Sequence, residues 1–161
     1  MNDIILTVQY KDKIVAGQYI PSNQTSDIPN IKYNGDLDKL YTIIMYDPDA
    51  KNKDYIHFID INIPKGNITN GQIILSYKQP TPPPKSGIHR YIFLLFEQNG
   101  IIAYQKINDR DISLDKIKSI FNLENLKSSV FFTSKNMVGG KKTRSKKKNN
   151  KKSRKVSFFF V

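Results

Sequence analysis

The feature that most constrains the fold is an alternation of apolar and polar residues that turn-forming residues break at short intervals. Between residues 1 and 137 the dominant period is two rather than 3.6, and clusters of Pro, Gly, Asn and Asp interrupt it. A period of two sends successive side chains to opposite faces of a strand. Many short strands of this kind predict a mainly β domain, with two packed sheets.

We expect eight strands, and the sequence marks the turn between two of them. Asn99-Gly100 predicts a hairpin, because both residues tolerate the positive φ angles of a type I′ turn. The predicted strands are Ile4–Gln9, Ile14–Ile20, Tyr41–Tyr46, Ile56–Ile63, Gln72–Ser76, Tyr91–Glu97, Ile101–Gln105 and Val130–Thr133.

Helical signals occur only towards the end of this region. Ser113 is suited to cap a helix that runs to Phe121, with Leu114 and Ile117 on its apolar face. A second helical turn is expected to start at Asn122. Together with the strands, these signals predict a two-sheet β-sandwich with one or two short C-terminal helices.

The formal net charge of +12 is concentrated in one segment. Residues 141–155 (KKTRSKKKNNKKSRK) contain 10 basic and no acidic residues. The rest of the chain contains the other 16 basic residues and all 14 acidic ones, so it is nearly neutral. A block of like charge cannot bury enough apolar surface to offset the entropy lost on ordering. We therefore expect one domain over residues 1–137 and a disordered basic tail over residues 138–161.

Composition excludes several classes of protein. The chain has no cysteine, which rules out disulfides, zinc–thiolate sites, a cysteine nucleophile and thiol redox chemistry. No window supplies the roughly 18 apolar residues that a membrane-spanning helix needs. The first residues also lack the basic start and long apolar run of a secretory signal. These observations predict a soluble, intracellular protein.

The two histidines of the chain mark the candidate site. His57 and His89 each lie where an apolar strand begins, and imidazole can donate, accept or carry charge near neutral pH. A third apolar strand ends in Asp47-Pro48-Asp49, a turn with two carboxylates. Three strand ends thus each supply polar groups that could meet in one site.

Strand alternation predicts the directions of these side chains. His89 and Tyr91 are expected to project to the same side, while Arg90 is expected to form a buried structural ion pair. In the predicted strand Ile56–Ile63, alternation places His57, Ile59, Ile61 and Ile63 on one face and Phe58, Asp60 and Asn62 on the other.

The polar residues fall in four ordered blocks. They are Tyr41–Ala50 (YTIIMYDPDA), His57–Gly66 (HFIDINIPKG), Tyr77–Pro83 (YKQPTPP) and Gly87–Gln98 (GIHRYIFLLFEQ). These blocks closely resemble the signatures of the phosphatidylethanolamine-binding proteins, also called Raf kinase inhibitor-like proteins. The length and order of the blocks make this resemblance far more specific than a single short motif.

The resemblance implies a β-sandwich with late helices and a small pocket for phosphate-like anions, such as a phospholipid headgroup or another phosphorylated small molecule. It implies a non-enzymatic role without metal or cofactor, and a kinase or protease partner. Imidazole and backbone N–H groups and a tyrosine hydroxyl can surround phosphoryl oxygens. Carried over position by position, the pocket residues are Asp47, Asp49, His57, Pro82, Pro83, Gly87, His89 and Tyr91.

Departures from the family pattern fall at the edge of this expected pocket. Lys51 stands where the family usually has proline, and the segment from there to Ile56 is shorter than usual. Tyr55 only loosely matches the usual aromatic residue before the histidine block. Thr81 replaces a small residue in the proline-rich turn, and the basic tail has no counterpart in the family pattern.

Other interpretations remain open at this point. Two histidines and two aspartates could hold a divalent metal that hydrolyses a phosphoester, although no HxH or HxxxH spacing is present. Ser86 lies near His89 but lacks a nucleophile-elbow motif. Residues 141–155 could bind nucleic acid without reading its sequence, or an anionic membrane. The sequence does not specify an oligomeric state.

Overall fold

A computed structural model describes residues 3–51, 54–65 and 68–136, so the expected tail at 138–161 lies outside the described residues. These ranges contain eight strands and one α-helix. The elements are β1 (Leu6–Tyr10), β2 (Lys13–Ile14), β3 (Asn30–Tyr33), β4 (Leu40–Asp47), β5 (Tyr55–Pro64), β6 (Gln72–Leu75), β7 (Ile88–Glu97), α1 (Leu114–Phe121) and β8 (Asn125–Lys135), with 3-10 turns at Ser22–Gln24 and Ile68–Asn70.

Two antiparallel sheets form the fold, which confirms the predicted fold class. The small sheet has the order β2-β1-β3, and the large sheet has the order β6-β5-β4-β7-β8. One face of the large sheet packs on the small sheet through side chains such as Tyr10 and Phe93. The other face packs on α1, where Ile117 and Phe121 are buried with Ile44. The central strands β4 and β7 are consequently buried on both faces.

The helix begins as the sequence predicts. Ser113 caps it by accepting a hydrogen bond from the Lys116 amide at 3.2 Å. Asp54, which precedes β5, accepts a second one from the Leu114 amide at 3.0 Å. Both contacts satisfy amides that have no partner within the helix. Asp54 therefore links the start of β5 to α1.

The predicted second helical turn at Asn122 is wrong. Asn122 adopts a left-handed conformation with φ of 51° and ends α1, and the chain enters β8 at Asn125. A left-handed residue at this position stops a helix because it turns the chain out of the helical path. Among the described residues, no helix combines the length and the apolarity that crossing a bilayer would require.

The predicted hairpin at Asn99-Gly100 is also wrong. Strand β7 pairs with β4 on one edge and β8 on the other, so no edge is left for a strand over Ile101–Gln105. Neither turn residue has a positive φ angle. Instead, Asn62 holds this segment, accepting from the Ile102 amide at 2.9 Å and donating to its carbonyl at 2.8 Å.

The predicted strand Ile14–Ile20 is mostly wrong, since only Lys13–Ile14 forms β2. Gly17 has φ of 84° and turns the chain towards β8, where its amide donates to the Phe131 carbonyl at 2.7 Å. This segment therefore borders the edge of β8 instead of extending the small sheet. Strand β3, which borders β1 on its other side, has no counterpart among the predicted strands.

A β-bulge changes the predicted faces of β5 near its start. Met45 pairs with Phe58 and Tyr46 pairs with Ile56, so His57 is an extra residue without a partner in β4. A bulge breaks strict alternation and redirects a side chain. Phe58 packs towards the small sheet, and His57 is directed into a cavity at the end of the strands.

A second register shift lies further along β5, around Asn62, whose φ is 55°. Beyond it, Ile63 packs towards the small sheet together with Phe58, whereas Ile59 and Ile61 pack towards α1. The prediction that Ile59, Ile61 and Ile63 share one face is therefore wrong. Two bulges within one strand explain the error.

Candidate functional site

A cavity of about 260 Å³ opens where β4 ends and β5 and β7 begin. Antiparallel pairing brings these ends together, because Asp47 lies opposite Tyr55 in the neighbouring strand. The cavity contains six of the eight predicted site residues in its wall, and Asp49 and Gly87 are outside it. The full lining is Asp47, Ala50, Lys51, Tyr55, His57, Lys78, Thr81, Pro82, Pro83, His89, Tyr91 and Asp111.

Asp47 and His89 form a buried pair at the base of this cavity. His89 Nδ1 donates to Asp47 Oδ2 at 2.7 Å, and the Asp49 amide donates to Asp47 Oδ1 at 2.8 Å. Burial raises the pKa of Asp47, although these two hydrogen bonds act in the opposite direction. Because Nδ1 of His89 is engaged by the carboxylate, Nε2 is the nitrogen that the ring offers to a ligand.

His57 is held by Lys78, which lies in the chain segment after β6. Its Nδ1 donates to the Lys78 carbonyl at 2.7 Å, and the Lys78 amide donates back to the His57 carbonyl at 2.9 Å. Burial lowers the pKa of His57 to about 4, and the nearby Arg110 and Lys78 cations add to the effect. His57 is therefore neutral at pH 7, with an Nε2 that accepts rather than donates.

Two tyrosines fix the plane of the His57 ring. The rings of Tyr55 and Tyr91 lie edge-on to it, with centroids at 5.0 and 5.1 Å. Tyr91 in turn stacks on Phe132 at 5.3 Å, which ties the cavity wall to the core. Burial raises the pKa of Tyr91, so its hydroxyl keeps its proton and can donate.

Two exposed lysines, Lys51 and Lys78, bring positive charge to the cavity wall. The Lys78 Nζ lies 5.0 Å from the centroid of the Tyr55 ring, within cation–π range. Asp111 is an acid at the same opening. Sequence reasoning did not nominate Lys78, because its position follows from backbone bonds to His57 rather than from a side-chain pattern.

Arg110 supports the site from outside the cavity wall. Its Nη1 donates to the carbonyls of Ile56 and His57, both at 3.0 Å, and its Nη2 donates to the Ser76 carbonyl at 2.7 Å. The guanidinium thus fastens the bulged start of β5 to the chain just after β6. Arg110 lies far from both segments in sequence, and we find no sequence signal that could have identified it.

Asp49 pairs with Arg90 instead of lining the cavity. Asp49 Oδ1 accepts from Arg90 Nη2 at 2.8 Å, and Asp49 Oδ2 accepts from Arg90 Nε at 2.9 Å. This hydrogen bonding lowers the pKa of Asp49. The Arg90 side chain is 53% exposed, so the predicted ion pair exists but the prediction that it is buried is wrong.

Gly87 also lies outside the wall, in the turn that leads into β7. Its φ of 92° favours glycine over any residue with a side chain. In the same turn, the hydroxyl of Ser86 donates to the Pro83 carbonyl at 2.8 Å and so is not directed at His89. Within the described ranges, no three His, Asp or Glu side chains are grouped so as to hold a metal ion.

Comparison with known proteins agrees with this architecture. The family model named phosphatidylethanolamine-binding protein matches residues 10–145 of the chain. The chain is 33% identical over 105 residues to Protein MOTHER of FT and TFL1 homolog 2 from Oryza sativa subsp. japonica, covering 60% of this chain and 59% of that protein. Matches to three curated relatives cover between 39% and 59% of their lengths, so the chain spans about half of such proteins.

Solved structures have the same fold. A carboxypeptidase Y inhibitor, crystallised in complex with its cognate proteinase, is 26% identical with a TM-score of 0.74, over 83% of this chain and 84% of that one. A phosphatidylethanolamine-binding protein from Plasmodium vivax is 21% identical with a TM-score of 0.69, over 83% and 85% of the two chains. At 21% identity, the similarity to the Plasmodium vivax protein shows only that the two chains share a fold.

Proposed function

The chain belongs to the phosphatidylethanolamine-binding protein family, and from that premise we propose that its cavity binds a phosphate-bearing small molecule, such as the phosphatidylethanolamine headgroup, without turning it over. One observation carries the proposal. Asp47, His57, His89 and Tyr91 come from three different strands and meet in the wall of one cavity of about 260 Å³. Such convergence of polar groups in a small cavity is typical of a ligand site.

The donors in this cavity suit phosphoryl oxygens. His89 offers Nε2 to a ligand, because its Nδ1 is engaged by the Asp47 carboxylate. The Tyr91 hydroxyl is a donor, and the ammonium groups of Lys51 and Lys78 add positive charge at the opening. Hydrogen bonds between charged donors and phosphate are stronger than those between neutral groups.

His57 selects among phosphate-bearing ligands, because it offers an acceptor. Its Nδ1–H is used by the Lys78 carbonyl, and burial keeps the ring neutral at pH 7. The ligand must therefore bring a hydrogen to Nε2, either from an ammonium group or from a protonated phosphate oxygen. Phosphorylethanolamine contains both an ammonium and a phosphate, which is why we choose it as the probe.

The surroundings of the imidazoles support binding without nucleophilic catalysis. Nucleophilic catalysis needs a hydroxyl or thiol within hydrogen-bond reach of a base. Among the described residues, no serine or threonine hydroxyl is hydrogen-bonded to His57 or His89, and Ser86 donates to the Pro83 carbonyl. We therefore propose a module that captures its ligand and releases it unchanged.

The test uses the two histidines as reporters. Since the chain contains only His57 and His89, its imidazole protons give two resolvable NMR signals. Titration with phosphorylethanolamine should move both signals in the full-length protein. The His89→Ala variant should lose the response at His57, whereas Lys39→Ala, at the opposite end of β4, should keep both responses. Signals that stay fixed at millimolar ligand would contradict the proposal.

Protease inhibition is a second candidate function. It is favoured by the likeness to a carboxypeptidase Y inhibitor that was crystallised with its proteinase. The measurement is hydrolysis of a peptide substrate by carboxypeptidase Y as the full-length protein is added. Loss of activity near equimolar protein supports this candidate, and unchanged activity at a large molar excess removes it.

A further inference from the structure

The pair Asn99-Gly100 does not form the hairpin that its sequence predicts, and it lies outside the cavity that contains the two histidines. The chain has three Asn-Gly pairs, at Asn34-Gly35, Asn70-Gly71 and Asn99-Gly100. A glycine after asparagine favours spontaneous deamidation, because it leaves the next backbone nitrogen accessible to the asparagine side chain. We propose that Asn99 is a deamidation site of the folded protein, and that the fold protects the other two pairs.

The reaction needs only the chain and water. The Gly100 nitrogen loses its proton to hydroxide and attacks Cγ of Asn99. The new bond closes a succinimide ring, the bond from Cγ to Nδ2 breaks, and Nδ2 leaves as ammonia after taking a proton from water. A water molecule then opens the ring at either of its carbonyls, which leaves aspartate or isoaspartate at position 99.

The reacting groups of Asn99-Gly100 are accessible. Both residues are exposed, and they form a bend that belongs to neither a strand nor a helix. Among the described residues, none hydrogen-bonds the Asn99 side chain or the Gly100 amide. A methyl group at Gly100 would meet no atom within 4 Å, so the ring has room to close and water has room to reach it.

The contacts on either side of the bend use other atoms. The Gly100 carbonyl accepts from Gln98 Nε2 at 2.9 Å, and Asn62 Oδ1 accepts from the Ile102 amide at 2.9 Å. Neither bond involves the Asn99 side chain or the Gly100 nitrogen. The ring can therefore form through a local movement of the bend, without unfolding a strand.

Asn34-Gly35 differs because its side chain is held. Asn34 Oδ1 accepts from the Ile5 amide at 2.5 Å, and its Nδ2 donates to the Asp3 carbonyl at 3.2 Å. Gly35 is buried, and a methyl group there would lie 2.6 Å from the Tyr41 ring. Ring closure at this pair requires both hydrogen bonds to break and the backbone to move against Tyr41.

Asn70-Gly71 is protected through its backbone. Asn70 ends the 3-10 turn Ile68–Asn70, and the Gly71 amide donates to the Ile68 carbonyl at 3.4 Å. That amide contains the nitrogen that would have to attack. Gly71 also lies against the Asp60 carboxylate. A negative charge on Asp60 disfavours loss of a proton from the neighbouring nitrogen.

Deamidation of Asn99 would change a cavity at the end of the large sheet that is opposite His89. The cavity is lined by Asp38, Lys39, Leu40 and Glu97 together with residues 98–101. Glu97 already pairs with Lys127 at 3.0 Å, so Lys39 is the cation of this wall that faces the new carboxylate. The aged protein should therefore separate into a parent form and a more acidic form on ion exchange.

The test is a time course of the full-length protein at physiological temperature and mildly alkaline pH. Cleavage after lysine and arginine places the three pairs in separate peptides, and mass spectrometry detects the change from amide to carboxyl in each. Asn99 should react at least about tenfold faster than Asn34 or Asn70, because hydrogen bonds that hold the other pairs must first break. Enzymatic methylation of isoaspartate should label the Asn99 peptide first.

Two controls separate the effect of the fold from that of the sequence. In protein unfolded by guanidinium, the three pairs should react at similar rates, since glycine follows each asparagine. Gly100→Ala should slow the reaction at Asn99 at least about tenfold, because a side chain hinders the attacking nitrogen. The fold should tolerate this variant, since Gly100 has no positive φ angle and its surroundings are open.

The native time course decides the outcome. Preferential reaction at Asn99, lost on unfolding, supports the assignment. Similar rates at the three pairs in the native protein would overturn it. It would equally be overturned by an Asn99 that stays intact in the folded protein while the unfolded chain reacts at all three pairs.

Discussion

Two buried aspartates lie in neighbouring strands of the large sheet, but only one of them belongs to the cavity wall. Asp47 at the end of β4 is 4% exposed and Asp60 within β5 is 1% exposed, and burial raises the pKa of both. Asp47 binds His89 and the Asp49 amide at the base of a cavity. Asp60 Oδ1 has no hydrogen-bond partner among the described residues, and its carboxylate lies against Gly71.

The difference shows that a buried acid with a raised pKa does not by itself indicate a binding site. Burial moves the pKa of Asp60 from 3.8 to about 6, but Asp60 does not line the site cavity. Asp47 lines that cavity, and its partner His89 offers a ligand there the ring nitrogen that Asp47 does not bind. The partner and the open space single out the candidate site, whereas a raised pKa alone would select both residues.

The largest effect is expected from Asp47→Ala. It removes one member of the buried pair with His89, a change that typically costs about 3–5 kcal/mol of unfolding free energy. The affinity for phosphorylethanolamine, measured by calorimetry, should fall about 100-fold, because His89 loses the acid that orients it. Asp60→Ala is the matched control, and its affinity should be unchanged. An equal loss of affinity in both variants would erase the distinction between the two acids.

The second effect is a pH dependence that comes from His57. Its pKa is about 4 in the folded protein and about 6.5 when unfolded, so the unfolded chain binds more protons between these values. Stability should therefore fall as the pH drops from 6.5 towards 4, by about 3 kcal/mol for a difference of this size. Urea denaturation at several pH values measures it, and His57→Gln should flatten the curve in this window. A wild-type curve with the same slope as the variant would contradict it.

Asp60 should produce a smaller effect of the opposite sign. Its folded pKa of about 6 lies above the unfolded value of 3.8, so the buried charge costs stability above pH 6 and the cost disappears as the pH falls towards 3.8. Asp60→Asn should therefore raise the unfolding free energy at pH 7.5 by about 2 kcal/mol, less than the full penalty because the amide stays buried. The gain should vanish near pH 4. Destabilisation at pH 7.5 would mean that the carboxylate has an ionic role.

Strand β7 shows which part of the fold the sequence could predict. It pairs with β4 from Ile92 to Glu97 without a register shift and carries apolar side chains on both faces. His89 and Tyr91 both line the cavity, so their predicted common direction is confirmed. Strand β5 shows which part of the fold could not be predicted from the sequence. The bulge at His57 and the shift at Asn62 arise from pairing with β4, and alternation within one strand contains no signal for either.

The site divides in the same way. Asp47, His57 and His89 could be predicted, because polar residues at the ends of apolar strands are visible in the sequence and belong to the resembled blocks. Lys78 and Arg110 could not, since they contact the site through backbone carbonyls. Any residue type has a carbonyl, so contacts of this kind depend on the folded path of the chain and not on a local motif.

The smallest effect tests whether the space around Asp60 is as tight as its burial indicates. A methyl group at Gly71 would overlap the Asp60 carboxylate, and Gly71 itself has no positive φ angle that would exclude alanine. Gly71→Ala should therefore destabilise the protein through this contact. In the Asp60→Ala background the same substitution should cost about 1 kcal/mol less, since a shorter side chain leaves room for the methyl group.

A double-mutant cycle from urea denaturation gives that coupling, and Gly100→Ala, where a methyl group meets no atom within 4 Å, is the control. Strictly additive free energies would mean that Asp60 can move away, and the contrast with the fixed Asp47 would then be one of mobility as well as of partners.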